Sequence, residues 1–495
     1  MGVIVKQSVK GTLVAFGGTI LGYINILILF PLIFSAEQIG LYRILIDAAT
    51  FFVIFSQLGI LNVSIKYFPY FQDMEKKNNG FLFYVLLVPL TGFSILALTF
   101  FFFKEQFLAP YAEQAPLLLD YENYLIPLAF FLLLLGSLAT YSRSLLKIVV
   151  PKIIRDIGTR LVITVGAGMF FYKVLDFNGF VVMMVSGYSF ALLALIVYIK
   201  YLKQWFIKPD FTFLKRPLLK EMVVFGLFMF LGTGGGIIVA KIDTLMLGSI
   251  AGLTSTGIYS IAFFIGAVIE LPRRSLSEIA TPILATAFKE DNKAKIKELY
   301  HKTSVNLLIV GGLFFVGIWS NIDAIFQLIP NSEVFAEGKY VVLFIGLAKL
   351  FDMSMGLNAE IITNSKYFRW NIFLMPFLAI IAIITNSILI PIYGITGAAL
   401  ATLISICSYN LIRFMLVAIK LKIQPFSLNT LKVVFSLGLV YGINLLIPTF
   451  DHFLVDIAVK SSIILATYAF LILTLKPSEN ISELFESFKE RVTKR

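Results

Sequence analysis

Apolar runs of about 20 residues recur from one end of this chain to the other, and no other feature restricts its fold so tightly. A helix of that length matches the ~30 Å hydrocarbon core of a bilayer, where every backbone polar group must find its partner within the protein. Charges, Pro and Gly bound fourteen such runs: 11–34, 44–67, 80–103, 123–142, 153–173, 179–200, 221–241, 255–279, 303–320, 339–362, 370–390, 396–417, 430–448 and 457–475. The expected fold class is an all-α polytopic membrane protein of 14 transmembrane helices. With 59% hydrophobic and 14% charged residues, no substantial soluble domain is left over.

Charge then orients the spans. Roughly 34 of the 41 Lys and Arg residues fall on alternate loops, including Lys66, Arg143, Lys147, Lys152, Arg155, Arg160, Lys366 and Arg369, so these loops are expected on the cytoplasmic side. Both termini are then inside. The opposite loops carry acids such as Glu105, Glu113, Asp323, Glu333 and Asp451. A net charge of +12 is mostly this bias and no argument for nucleic acid. The opening segment "MGVIVKQSVKG" lacks the apolar core and small-residue cleavage site of a secretory signal, so the first run is expected to stay as a span. A lone Cys407 rules out an intramolecular disulfide, and with two histidines, His301 and His452, no Cys/His metal cluster or cofactor is expected.

A repeat divides the chain. "AEQIGLYRILI" (36–46) and "AGLTSTGIYSIA" (251–262) align Gly40 with Gly257 and Tyr42 with Tyr259, 217 residues apart in both cases. The same offset aligns Gly17 and Gly18 with Gly234 and Gly235, and nearby offsets relate Pro151–Arg155 to Ser365–Arg369 and Gly179 to Gly397. Six spans separate the matched features, so the halves are parallel repeats about an axis along the membrane normal. The expected domains are 1–210 and 211–422, two six-helix bundles around a central cavity, then 423–476 with two further helices. Residues 477–495 form an expected cytoplasmic amphipathic tail, with Ile481, Leu484, Phe485, Phe488 and Val492 on one stripe. The repeated phrases are expected at the outer turn between the first two helices of each bundle. Gly17, Gly18, Gly234 and Gly235 are hinge candidates, against the blander reading that small residues only permit close packing.

"AKIDTLMLGSIAGLTSTGIYSIA" (Ala240–Ala262), "NSKYFRWNIFLMPFLAIIAIITNSILIPIYGITGAALATLIS" (Asn364–Ser405) and "IKYFPYF" (Ile65–Phe71) carry a resemblance. The chain resembles the polysaccharide flippase branch, the Wzx-type O-antigen and capsule translocases, of the multidrug/oligosaccharidyl-lipid/polysaccharide (MOP) exporter superfamily. The resemblance implies translocation of a polyprenyl-pyrophosphate-linked oligosaccharide from the cytoplasmic to the outer leaflet of a bacterial inner membrane. That activity would serve lipopolysaccharide O-antigen, capsule or exopolysaccharide biosynthesis, with membrane lipids and polysaccharide polymerase machinery as partners. Lipid II flippases of the superfamily bear basic residues in the first helix, whereas 11–36 here has none, which argues against lipid II as the substrate.

A pyrophosphate entering an apolar pathway must be met by cations. Lys349 is the first choice, deep in "YVVLFIGLAKLFDMSMG" with Asp352 three residues on as its expected ion-pair partner. Arg273 and Arg274 follow Pro272, and adjacent guanidinium groups suit phosphate, although arginines at helix ends commonly snorkel. Arg143 and Arg155 share that ambiguity. Lys241 and Asp243, at an outer helix end, are expected as interfacial anchors, or as a gate closed by a salt bridge. Asp47, Asp156, Glu270, Glu360 and Asp352 are candidates to pair with these cations or to bind a coupling H+ or Na+. Two other classes compete with the flippase: an ion-coupled exporter of small molecules or drugs, and a membrane oligosaccharide polymerase or ligase. An exporter of cationic drugs calls for acids in its cavity, and an enzyme for catalytic groups on a sizeable outer loop, which 104–122 does not offer. The chain is therefore expected not to be an enzyme.

Overall fold

The computed structural model describes residues 2–230 and 235–478, and all regular structure among them is helical. Among these residues nine helices are long and apolar enough to cross a membrane. They become ten if Ser332–Ser354 and Asn358–Asn364, bent by 48°, form one span. The protein is a multi-pass membrane protein. Gly234 and the stripe 481–492 lie outside the described residues.

Two long helical elements each consist of two helices that meet at a sharp break, which falls between spans read as separate from the sequence. Asn371–Leu421 runs through both 370–390 and 396–417 but turns at Gly394 (φ 55°, ψ −130°). Gly235–Ala267 turns likewise at Gly252 (φ 87°, ψ 176°). Both glycines adopt a positive φ that side chains with a Cβ rarely tolerate. A turn of this kind needs few residues, so a helix-defined boundary does not appear where the chain nevertheless reverses or bends.

The chain divides into two compact units, Met1–Ser260 and Ile261–Arg495. The unit boundary falls after the seventh sequence span, because the segment around 241–257 docks onto the helix Ala36–Gln57 at three levels. Lys241 pairs with Asp47, Gly248 faces Ile44, and Gly257 faces Ala36.

The third of these contacts revises the meaning of the repeated phrases. Ala36–Gln57 begins at a capping box in which Ser35 Oγ accepts from Gln38 N at 3.2 Å and Gln38 Oε1 accepts from Ser35 N at 3.1 Å. Gly40 is therefore inside a helix, and Gly257 is inside the helical segment that follows the Gly252 turn. Neither marks a turn. The two glycines face each other across a helix crossing. A Cβ on Gly40 would overlap the Leu253 carbonyl oxygen, and one on Gly257 would overlap that of Ala36. Small residues allow backbones to approach this closely in lipid, where packing replaces the hydrophobic effect as the driving force. Gly40→Leu should cost about 1–3 kcal/mol by forcing the helices apart, read as a lowered melting temperature in detergent. Gly17→Leu, at a site with no atom near its added Cβ, should leave the melting temperature unchanged. Equal effects at both positions would contradict the crossing.

Gly17 and Gly18 sit in the unbroken helix Gly2–Ile24, and the irregularity comes later, as a π-helical turn at Asn25–Leu29 ahead of Pro31. Gly18 is packed closely against the Asp156 carbonyl of a second π-helical turn, Ile153–Gly158. The core of the first unit is aromatic at one end, where Phe68, Phe71, Phe81 and Tyr141 are all but fully buried. In the second unit the helix Lys293–Ser320 forms a core with Leu428–Asn444 and Phe453–Leu475 through Val305, Leu308, Val433, Val440 and Ile464. The Tyr468 hydroxyl donates to the Ile309 carbonyl at 3.1 Å in that core.

Candidate functional site

The second unit builds a polar network among otherwise apolar helices. Its first element is a 3-10 turn, Val268–Glu270, leading into the helix Leu271–Lys289. Pro272, in the first turn of that helix, has no N–H to donate there, and such positions tolerate its loss. From that start a helical step of about 100° per residue separates Arg273 from Arg274. Arg273 points inward with 15% of its side chain exposed, and Arg274 points outward with 69%.

Lys339–Ser354 supplies the facing pair. Lys349 Nζ lies 2.5 Å from Glu270 Oε2, and Arg273 Nη1 pairs with Asp352 Oδ2. The sequence expectation paired Lys349 with Asp352 on its own helix. The structure instead sets an acid and a base three residues apart against a base and an acid three residues apart on the neighbouring helix, so each charge meets its complement across the interface. An inter-helix pair avoids the bent geometry of an i,i+3 contact and ties two elements together.

Further polar groups extend the network. Asp352 Oδ1 accepts from Asn410 Nδ2 at 2.9 Å, and Asn410 Oδ1 accepts from Asn358 Nδ2 at 2.9 Å. Ser277 Oγ, one turn after Arg273, donates to Glu360 Oε1 at 2.7 Å. Arg413, only 7% exposed, lays its guanidinium over the Tyr409 ring at 3.9 Å. The hydrogen-bonding capacity is not exhausted. Arg273 Nε, Arg413 Nε and Glu360 Oε2 are buried and have no hydrogen-bond partner among the described residues. Buried polar groups are ordinarily satisfied by protein or by water, so these atoms have capacity for a further hydrogen bond.

The first unit holds a separate charged cluster. Asp47, fully buried, receives Arg43 Nε at 2.7 Å and Lys241 Nζ at 2.6 Å. Lys241 is thus bound to Asp47, and Asp243 accepts from the Tyr259 hydroxyl at 3.3 Å. Arg143 and Arg155 stand apart from both clusters. Arg143 is exposed at the end of the helix Leu125–Ser144, and Arg155 Nε binds the adjacent Asp156 at 2.8 Å. Lys66 sits over the Phe225 ring at 4.0 Å.

Sequence reasoning brought forward Lys349, Arg273, Asp352, Glu270 and Glu360, and the structure collects all five in one network. It missed Asn358, Asn410 and the importance of Arg413. A signal existed for Arg413, which lies several residues inside the run 396–417, within "NLIRFML", rather than beyond its end. Asparagines in an apolar helix are a weaker form of the same signal, because each asks for a buried partner.

The fold has known counterparts. The structure is similar to that of the lipid II flippase MurJ in its inward closed conformation, with a TM-score of 0.64 at 15% identity over 94% of this chain and 98% of that one. An inward-facing multidrug resistance MATE family transporter of the MOP superfamily gives 0.60 at 13% identity, over 82% of this chain and 94% of that one. A MOP superfamily transporter from Pyrococcus furiosus gives 0.50 at 14% identity, over 85% and 95%. No curated protein matches the chain in sequence. A family described as polysaccharide biosynthesis protein matches residues 6–271, more than half of the 495. With that match and the MOP-type transporter fold, the chain belongs to the polysaccharide biosynthesis protein family.

Proposed function

We propose that the protein is a flippase that moves a polyprenyl-pyrophosphate-linked oligosaccharide from the cytoplasmic to the outer leaflet by alternating access. It would do so with fourteen spans and both termini inside, in a bacterial inner membrane, for O-antigen, capsule or exopolysaccharide synthesis. The observation that carries this reading is the second unit's network, in which two buried guanidinium groups keep an unused Nε among apolar helices. Three cations, Arg273, Lys349 and Arg413, stand among three carboxylates, Glu270, Asp352 and Glu360, with Arg274 at the exposed edge. Carboxylates hold the cations in place in the empty protein, and a pyrophosphate, richer in acceptors and charge, displaces them when it binds. Cations released from their carboxylates in this way give the two states of the site different affinity for substrate, as a carrier requires.

The family assignment and the similarity to a lipid II flippase support a lipid-linked substrate. The near balance of charge favours a second reading, an ion-coupled exporter in which Glu270, Asp352 or Glu360 carries H+ or Na+. In either reading the protein is a transporter and not an enzyme.

Depletion of the protein from its host separates these readings. The flippase reading expects surface polysaccharide to fall and polyprenyl-linked oligosaccharide to accumulate in the cytoplasmic leaflet. Unchanged surface polymer with no trapped precursor would sink it, and a changed drug tolerance alone would select the exporter.

A further inference from the structure

The second unit contains a cavity of about 820 Å³ that the transport network does not use. It lies where several helix ends converge. These are the C-terminal end of Leu271–Lys289, the start of Lys293–Ser320, the end of Asn358–Asn364 and the end of Asn371–Leu421. Five lysines line it, Lys289, Lys293, Lys366, Lys420 and Lys422, against one acid, Asp291. Among the described residues none of the five forms an ion pair with a carboxylate. Two lining residues hold left-handed backbone: Asp291 at φ 49° and Lys422 at φ 56°, the latter capping its helix. The Lys422 conformation ends its helix in the ordinary left-handed cap and turns the chain at the cavity rim.

All five are exposed, so water screens their mutual repulsion, and together they give the cavity a positive potential that attracts an anion. The lining also identifies what kind of anion. Phe288, Ile296 and Ile423 stand beside the lysines, so the cavity offers apolar surface next to its charge. A free polyphosphate has no use for that surface, whereas a phospholipid presents a phosphate with a glycerol and chains attached. By the charge bias of the loops these helix ends lie on the cytoplasmic side, at headgroup depth. Basic pockets between spans on that side suit anionic lipid headgroups.

We propose that this cavity binds the headgroup of an anionic phospholipid of the cytoplasmic leaflet. The proposal does not depend on the transported substrate. The purified full chain in neutral detergent is titrated with phosphatidylglycerol or cardiolipin, with phosphatidylcholine and with inorganic pyrophosphate, with native mass spectrometry and melting temperature as readouts. Anionic lipid should bind and raise the melting temperature, and phosphatidylcholine should not.

The variant Lys366→Gln/Lys420→Gln/Lys422→Gln should weaken anionic-lipid binding on the order of 100-fold, as three charges at an anionic surface imply. The variant Lys366→Arg/Lys420→Arg/Lys422→Arg should keep it. Glutamine substitution at Lys200 and Lys203, outside the cavity, should change nothing. Undiminished lipid binding by the glutamine triple variant overturns the proposal. So does equal loss in the Lys200/Lys203 control, which would make the effect one of general charge. Pyrophosphate binding as tightly as lipid would overturn the headgroup assignment. If the glutamine variant fails to fold, wild-type selectivity for anionic over zwitterionic lipid, with the arginine variant, still decides.

Discussion

A Lys349→Met variant is expected to transport lipid-linked oligosaccharide about 10- to 100-fold more slowly than the wild type, the cost of one lost charge-assisted contact. The single variant has an ambiguity that the geometry resolves. Lys349 and Glu270 are 2.5 Å apart, with side chains only 17% and 18% exposed. Without Lys349, Glu270 keeps Arg274, at 3.7 Å and largely exposed, and the more distant Arg273, which is already paired with Asp352. An under-compensated carboxylate in an apolar helix destabilises the fold, so lost transport could follow from lost protein. Lys349→Met/Glu270→Met removes both charges together. Replacing a buried pair by apolar residues of similar volume is commonly neutral or stabilising. The double variant should therefore recover the melting temperature and the membrane level of the wild type, while its transport stays low. Surface polysaccharide per molecule of inserted protein measures the second quantity. Wild-type transport by a stable double variant would reduce the pair to a structural tie between two helices.

What the sequence reveals about this site follows from the kind of signal each residue sends. Lys349 stands out because a lysine in the middle of an apolar run has a high cost of burial, whatever the fold. Its partner does not stand out in the same way. Asp352 is the nearest acid in sequence, and spacing on one helix contains no information about which neighbouring helix faces it. Glu270 was legible as an acid within a span and Arg273 as a guanidinium near its end. Their pairing across the interface needed the relative register of two helices. Arg274 illustrates the converse, since one step of about 100° along the helix turns it away from the face that Arg273 occupies.

The fold was legible through length and apolarity, which locate helices well and turns poorly. Gly252 and Gly394 break the chain inside the gaps 241–255 and 390–396 that the apolar runs leave, but the residue that makes each break needed the backbone angles. The repeated Gly-x-Tyr phrases were visible as a repeat, yet their physical reason, a backbone crossing of one copy on the other, belongs to tertiary packing. A glycine needed for a turn and one needed for a crossing look alike in sequence.

The largest loss of stability is expected from Asp47→Ala. Asp47 is fully buried and holds two cations, Arg43 one turn earlier on its own helix and Lys241 from the segment that docks on it. Removing the carboxylate takes from both cations the anion they share in a weakly polarisable setting, a change worth roughly 3–5 kcal/mol when one member of a buried pair is deleted. The variant should melt well below the wild type in detergent and accumulate poorly in the membrane. Lys241→Met is expected to cost much less, because Asp47 keeps Arg43. The ordering depends on topology as well as charge. Arg43 is bound to Asp47 within one helix and its pair survives a separation of the two segments, whereas the Lys241 pair does not. Asp47→Ala combined with Lys241→Met should accordingly regain part of the loss, since only Arg43, 16% exposed and able to reach toward solvent, then lacks the Asp47 carboxylate. A melting temperature for Asp47→Ala equal to that of Lys241→Met would show that the carboxylate does not serve both cations, and would take away the electrostatic reason for the seventh sequence span joining the first unit.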